Sequence, residues 1–455
     1  MPFEKILIAN RGEIALRVIR ACREMGIPTV AIYSTADANA VHVRFADEAI
    51  CIGPPMATQS YLHQPAVLSA VEITGADAVH PGYGFLAENA QFASAVRQMG
   101  RTFIGPSVEH LKMFGDKLSA KAAARAAGLP MLDGSAGAIP DLETAVAAAN
   151  IATYPVMLKA AAGGGGKGMR VIEDEATLRR VFALTQAESQ AAFGSAEVFL
   201  EKYLRRPRHV EVQVAGDGRG GGIHIGTRDC SLQRRHQKII EEAPAPFLSD
   251  RLRSEITEAA AELIRSVNYC TVATVEFLVE DDAFYFLEVN PRIQVEHPVS
   301  EAVTGVDLIQ EQIHLAAGNG LRIRQEDIKT RGHSIEVRVN AEDPWSFLPS
   351  PGTVTGYHEP GGPGVRVDSA IHEHAMVQPY YDSLAAKLIV HGKDREHATR
   401  RMLGAMEEFI VEGIRTTLPL QRELLQTEEF AKATFWTRFV DGWVEEHAAA
   451  KRGKK

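Results

Sequence analysis

From Phe286 to His297 the chain reads Phe-Leu-Glu-Val-Asn-Pro-Arg-Ile-Gln-Val-Glu-His, and polar and apolar positions alternate. Glu288, Asn290, Arg292, Gln294 and Glu296 take the even positions, while Leu287, Val289, Ile293 and Val295 take odd ones, with Pro291 the exception. An extended chain repeats every two residues, so the pattern predicts a ledge bearing two carboxylates, two amides and a guanidinium. An amphipathic edge strand would show the same alternation, but solvated faces are usually rich in Lys, Glu, Ser and Thr. Here Glu and Asn suit a hard cation, and Arg and Gln suit a small oxyanion.

Two β-branched and aromatic runs, Val272–Leu278 and Phe284–Val289, flank the turn-like Glu280-Asp281-Asp282-Ala283 and predict a hairpin. Centred on Asp282, it would place Glu276 opposite Glu288. Like charges across a ladder are destabilising, so the pair implies a positive group between them. Mg²⁺ beside a nucleotide typically takes a small number of protein carboxylates and completes its shell with water and phosphate.

Elsewhere the periodicity alternates between strand and helix. Lys5–Ala9 reads as a buried strand, Asn10-Arg11-Gly12 as a turn, Glu13–Met25 as a helix stopped at Gly26, and Thr29–Tyr33 as a second strand. This is a Rossmann-like βαβ opening, but its turn holds one glycine where a dinucleotide fingerprint needs three. After the strand-like Ala78-Val79 comes His80-Pro81-Gly82-Tyr83-Gly84-Phe85-Leu86-Ala87-Glu88-Asn89. Its glycines and proline either build a turn or border a ligand at a strand's C-terminal end, and the residues leave both open.

A helical Ser119–Ala127 leads to the strand Pro155–Lys159, a tip Ala160–Gly168 and a strand Met169–Ile172. The tip is not a phosphate-binding P-loop: Ala161 and Gly168 break the motif and no helix follows. Bracketed by Lys159 and Lys167, its glycines form a hairpin whose N–H groups can fold over phosphates as a lid. Phe199–Leu204 and Arg208–Val214 read as extended, Thr227–Lys238 as a polar loop, and Leu252–Val267 and Asp307–Ala317 as helices. Ser334–Asn340 puts Glu336, Arg338 and Asn340 on one face, and a helix is expected over Phe439–Ala449 before a basic tail.

The 455 residues suffice for about three domains. A net charge of −9 argues against a general nucleic-acid or membrane-surface role, and no apolar run reaches transmembrane length. The chain opens straight into a strand, leaving no room for a signal peptide. Cys22, Cys51, Cys230 and Cys270 lack metal or redox spacing, as expected of a cytoplasmic protein.

Lys159 with the Gly163–Gly168 tip, the Glu276/Glu288 pair and Asn290 resemble the ATP-grasp fold. Ile8–Ala15, His80–Leu86, Arg228–Ser231, Gln233–Lys238 and Arg292–Pro298, in that order, resemble the biotin carboxylase family over nearly the full chain. Small departures occur at Ala87, Ala273 and Pro291, none of which removes a reacting group.

The resemblance implies a mixed α/β and α+β architecture. Residues 1–114 would form a Rossmann-like N-terminal domain, and 115–331 an ATP-grasp region with a mobile lid at about 131–203. Residues 332–449 would form a C-terminal domain, followed by a tail at 450–455. It also implies that bicarbonate attacks the γ-phosphoryl of MgATP, giving carboxyphosphate, and that the released CO₂ is captured by deprotonated biotin. By that similarity Glu296 is the base. Lys238, Arg292, Gln294 and the Val295 backbone hold bicarbonate, and Arg338 stabilises the biotin enolate, with Tyr83 and Gly84 bordering biotin. Glu276, Glu288 and Asn290 would hold Mg²⁺ or Mn²⁺. ATP would contact Lys117, Lys159, Gly163, Gly164, Gly165, Gly166, Lys167, Gly168, Met169, Glu201, Lys202, Tyr203, Leu204, His209, Gln233, His236 and Leu278, besides Glu276 and Glu288.

Implied partners are a biotin carboxyl carrier protein and carboxyltransferase subunits, with a homodimer expected and acetyl-CoA carboxylase as the default assembly. Carboxylases of pyruvate, propionyl-CoA or 2-oxoglutarate would look alike. The chain has no Met-Lys-Met biotinylation setting, so the carrier is expected in trans. Two rivals share part of the pattern. Another ATP-grasp ligase would lack Arg292–Glu296 with Arg338, and a nucleotide-sensing module would have lost an acid among Glu276, Glu288 and Glu296.

Overall fold

The computed structural model describes residues 3–135, 137–160 and 169–452. The glycine tip with Lys167 lies outside them. The chain opens with five parallel strands, β1 (Ile6–Ile8), β2 (Thr29–Ser34), β3 (Glu48–Gly53), β4 (Ala78–His80) and β5 (Thr102–Phe103), ordered β3-β2-β1-β4-β5. β1 is apolar throughout and fully buried because both faces of a parallel sheet are covered. Helix α1 (Gly12–Glu24) turns Ile14, Val18 and Ile19 inward.

Past the ends of β1 and β4, the Asn10 side-chain amide donates to the carbonyls of Pro81 and Tyr83, each at 2.7 Å. Gly82 stands at φ +62°, and a Cβ there would lie 3.0 Å from that amide nitrogen, so the junction requires glycine. Phe85 and Leu86 join the apolar core of this unit.

Helix α2 (Lys117–Ala126) precedes a small antiparallel sheet, β6 (Val156–Ala160), β7 (Met169–Ile172) and β8 (Val198–Lys202), ordered β7-β6-β8. Its Val156, Leu158, Val198 and Leu200 pack on helices α3 (Leu142–Ala152) and α4 (Glu175–Phe193). Strand alternation sends Lys159 to the opposite face, together with Glu201 of β8.

The rest is built on one eight-stranded antiparallel sheet. Its strands are β9 (Arg208–Asp217), β10 (Gly222–Arg234), β11 (Gln237–Ala243), β12 (Cys270–Glu280), β13 (Ala283–Asn290), β14 (His333–Asn340), β15 (Val365–Ser369) and β16 (Leu384–Gly392). The order is β13-β12-β9-β10-β11-β14-β16-β15, so strands from the central and C-terminal parts of the chain pair directly through β11 and β14. One face is apolar: Val210, Val212, Val275 and Phe277 meet α5 (Asp250–Ser266). Further along, Ile335, Val337 and Leu388 belong to a second core. The other face carries buried charged residues such as Glu211 and Arg228, with α6 (His297–Thr304) against β10, β11, β14 and β16, while α7 (Leu308–Ala316) packs on an apolar part at Ala215, Ile225 and Val272.

The structure corrects two expectations. Thr227–Lys238 is not a loop: it forms most of β10 and the start of β11, joined by Arg235 and His236 at φ +47° and +68°. Two consecutive left-handed residues make the tight turn that suits a twisted hairpin. Polarity misled because Arg228, Asp229, Ser231 and Gln233 are buried. The extended run to Glu296 also stops early, since β13 ends at Asn290 and α6 begins at His297. Among the described residues no helix is long and apolar enough to cross a membrane.

Candidate active site

Asp281 and Asp282, at φ +50° and +62°, turn the β12–β13 hairpin in two residues. That register alone would set Glu276 against Leu287. A bulge leaves Leu287 unpaired and brings Glu288 opposite Glu276. On the other side Glu276 faces Glu211 of β9, which faces Arg228 of β10. The row Arg228–Glu211–Glu276–Glu288 thus crosses four strands, and Glu211 went unread in the sequence. Its signal was available, because Glu211 shares the parity of His209 in an alternating strand.

Three carboxylates abreast require countercharge. The fully buried Arg228 donates twice to Glu211 Oε2, at 2.8 and 2.9 Å, and also to Gln213, Thr274 and Ser300. Lys238 Nζ contacts Glu211, Glu276 at 3.0 Å and Glu296 at 2.8 Å. His209 Nε2 lies 3.0 Å from Glu276. Burial opposes charging of His209, but the carboxylates of Glu276, at 3.0 Å, and Glu211, at 3.4 Å, outweigh it and raise the imidazole to about 10. Glu211 and Glu276 are likewise disfavoured by burial, yet Lys238 holds both far below the usual carboxylate range, with Arg228 and His209 assisting respectively.

The outer end differs. Glu288 reaches solvent, and surrounding protein followed by the Glu276 charge pushes its carboxyl up. Asn290 Nδ2 donates 2.8 Å to Glu276 and 3.5 Å to Glu288. Glu276 and Glu288 therefore offer hard oxygen donors where positive charge is wanted, which fits Mg²⁺. Asn290 turns its NH₂ toward them while its carbonyl accepts from Arg292 at 3.1 Å.

Beyond β13, the Arg292 guanidinium contacts Gln294 Oε1 at 2.9 Å and pairs with Glu88, and Gln294 Nε2 reaches Glu276 at 3.2 Å. The residues expected on an extended ledge therefore converge, but through a loop rather than one strand. Glu296 is fully buried, bound by Lys238 on one oxygen and by Arg338 Nη2 on the other at 2.9 Å. Burial works against its ionisation, and Lys238, Arg338 and Arg228 reverse that, so the carboxyl lies below its ordinary value. Arg338 Nε also holds Glu241 at 2.6 Å. Burial and the Glu296 charge push Glu241 up to about 7 against the pull of Arg338. Tyr83 donates its hydroxyl to Glu13, and beyond Gly84 a Cβ would meet open space.

On the small sheet, Lys159 and Lys121 both pair with Glu201, while Lys202 Nζ donates 2.9 Å to the Thr153 carbonyl. Met169 is opposite Lys159, Lys117 begins α2, and Arg438 Nη1 donates to the Tyr203 hydroxyl at 3.2 Å. Leu278 is paired with His209, and Gln233 with Lys238; Leu204 is buried, whereas His236 stands exposed at the β10–β11 turn. Lys121, Glu241 and Lys387, whose Nζ donates to the Val295 carbonyl at 2.8 Å, also went unread. Their partners are remote in sequence, so no spacing announced them.

Comparison with known proteins supplies the context for this geometry. Residues 116–324 match the carbamoyl-phosphate synthase L chain, ATP binding domain, giving an ATP-grasp enzyme class together with the Rossmann-like opening. Residues 2–111 match the biotin carboxylase N-terminal domain and 336–442 its C-terminal domain. The chain is 55% identical over 430 residues to a biotin carboxylase of Pseudomonas aeruginosa, covering 94% of this chain and 96% of that one. A Campylobacter jejuni biotin carboxylase solved with β,γ-ATP shares 45% identity at a TM-score of 0.91, over 96% of this chain and 98% of that one. The biotin carboxylase domain dimer of Hydrogenobacter thermophilus 2-oxoglutarate carboxylase, solved with MgADP, ADP and bicarbonate, gives 45% identity, 97% coverage of both chains and a TM-score of 0.88. The chain belongs to the biotin carboxylase family of ATP-dependent ligases.

Proposed function

We propose that this chain carboxylates biotin on a carrier protein, using MgATP and bicarbonate, as the first half-reaction of acetyl-CoA carboxylase. The supporting observation is the Glu296 carboxylate held between Lys238 at 2.8 Å and Arg338 at 2.9 Å. One cation, on β11, also contacts Glu211 and Glu276 of the acid row, and the other is on β14. Glu296, ionised and buried, accepts the bicarbonate proton as a bicarbonate oxygen attacks the γ-phosphorus and ADP leaves. Lys238, Arg292, Gln294 and the Val295 N–H orient the anion, the guanidinium doing so by paired donors. The carboxyphosphate formed splits into CO₂ and phosphate. Phosphate takes the biotin N1′ proton, and the nitrogen attacks CO₂ while Arg338 stabilises the ureido enolate.

Tyr83 and Gly84 border biotin in this reading. Glu276 and Glu288, with Asn290 beside them, would hold Mg²⁺ or Mn²⁺, which neutralises phosphate charge. Lys117, Lys159, His209, Gln233, His236, Met169 and the glycine tip attend the phosphates and ribose, and Glu201–Leu204 with Leu278 attend adenine. Residues 1–114, 115–331 and 332–449 serve as the three domains, and a homodimer is the expected assembly.

ATP hydrolysis should require bicarbonate, rise with free biotin, and deliver labelled bicarbonate to an added biotinylated carrier. Hydrolysis driven by an amine instead would point to another ATP-grasp ligase. The carboxyltransferase that co-purifies identifies the final acceptor, and one specific for pyruvate or 2-oxoglutarate would replace the acetyl-CoA assignment.

A further inference from the structure

The loop from Pro291 to Glu296 lies outside the regular helices and strands, yet it must present a backbone N–H and a carboxylate with fixed geometry. Two peptide planes meet at Val295, and each is held from the protein side. The Gln294 carbonyl accepts from His297 Nδ1 at 2.7 Å, and the Val295 carbonyl accepts from Lys387 Nζ at 2.8 Å. In a trans peptide the C=O and N–H point opposite ways. Anchoring the Gln294 carbonyl therefore turns the Val295 N–H away from the core, and anchoring the Val295 carbonyl sets the backbone from which Glu296 projects.

Both anchors are fully buried. A carbonyl can only accept, so His297 carries its proton on Nδ1. Burial and the nearby cations Lys387, Arg17 and Arg366 keep the ring neutral, leaving a lone pair on the buried Nε2, which has no hydrogen-bond partner among the described residues and lies 3.8 Å from Glu301. Lys387 is opposite Arg338 on one neighbouring strand and opposite Asp368 on the other. Its amine lies 3.2 Å from Glu13 and 3.9 Å from Asp368, farther than from the neutral Val295 carbonyl. Of these three contacts of the buried cation, the shortest is to the loop backbone.

We propose that Lys387 and His297 are positioning residues, a clamp on two consecutive peptides that presents the Val295 N–H and the Glu296 carboxylate to bicarbonate; this rests on reading that site as the bicarbonate site. Glu13, which also accepts from Tyr83, orients Lys387 from the N-terminal unit.

The test is steady-state kinetics of bicarbonate-dependent ATP hydrolysis. Lys387→Met and His297→Leu should raise the bicarbonate KM about tenfold, the scale of leaving a buried acceptor unpaired. The ATP KM should stay within about twofold. Lys387→Arg and His297→Asn, which keep a donor near the same point, should recover much of the loss. A bicarbonate KM that is unchanged, or that moves together with the ATP KM, overturns the clamp. Where Lys387→Met fails to fold, Glu13→Gln decides: a rise of about threefold in bicarbonate KM supports the clamp and none overturns it. Hydrolysis by the unaltered protein that ignores bicarbonate would instead overturn the site reading beneath it.

Discussion

The eight-stranded and three-stranded antiparallel sheets place cations in contrasting ways. On the eight-stranded sheet, Lys238, Arg228 and Arg338 have side chains only 13%, 0% and 16% exposed, and each touches at least two oxygen acceptors. At the three-stranded sheet, Lys159 of β6 and Lys121 of helix α2 are 25% and 31% exposed and share the single carboxylate of Glu201. A buried charge is tolerated only when several partners offset its desolvation, and those partners then leave it little freedom. A partly exposed lysine loses little on leaving one carboxylate, so it is free to turn toward an anionic ligand. The large sheet is therefore suited to pre-set chemistry and the small one to capture.

That contrast can be broken by substitution. Glu296→Gln should show the largest effect, lowering bicarbonate-dependent turnover by about 10²–10⁴-fold as the base is lost. Nucleotide affinity should persist, and near-normal turnover would remove Glu296 from the chemistry. Next, Arg338→Gln should cut transfer to biotin by about 10²–10³-fold while bicarbonate-dependent ATP hydrolysis falls less. Equal losses in both assays would mean that Arg338 also holds bicarbonate or phosphate.

Glu242, buried on β11, tests the multi-partner rule away from the reacting groups. His333 Nε2 lies 2.7 Å away, and Arg395 binds it at 2.7 and 3.1 Å. Burial opposes ionisation, but the His333 hydrogen bond and the Arg395 charge bring the carboxyl down to about 2 from an ordinary 4.5. A depressed acid contributes stability above its unfolded value and loses it as pH falls toward its folded value. Glu242→Gln should therefore cost about 3–5 kcal/mol at pH 7, because it leaves the buried His333 and the partly buried Arg395 without their carboxylate. Denaturant unfolding should show that difference shrinking as pH drops from 4.5 toward 2. A difference independent of pH would count against the charged pair. The smallest effect belongs to Lys159→Gln, expected to raise the ATP KM roughly fivefold and to change stability by less than about 1 kcal/mol. A stability loss as large as that of Glu242→Gln would erase the contrast between the sheets.

The sequence shows where alternation was legible and where it was not. Glu276 and Glu288 were readable as a facing pair, although their register depends on a bulge at Leu287 that no residue type announced. Thr227–Lys238 reads as a loop yet folds as strand because its polar side chains are satisfied inside the protein, and composition alone cannot tell an internal salt bridge from a solvated loop. Glu211 was within reach of the two-residue periodicity that placed Glu288 on a polar face.

By itself the sequence determined the Rossmann-like opening, the acid hairpin, the cluster Arg292–Glu296 and the face bearing Arg338, because those depend on short-range periodicity and on the chemistry of each residue. Tertiary structure alone decided that β11 pairs with β14, so that one sheet carries Lys238 and Arg338 to opposite oxygens of Glu296. It also decided that Lys387, 92 residues beyond Val295, would hold that loop from below. Such contacts are selected by how a whole layer of buried charge is neutralised, and neutralisation depends on distance in space rather than separation along the chain.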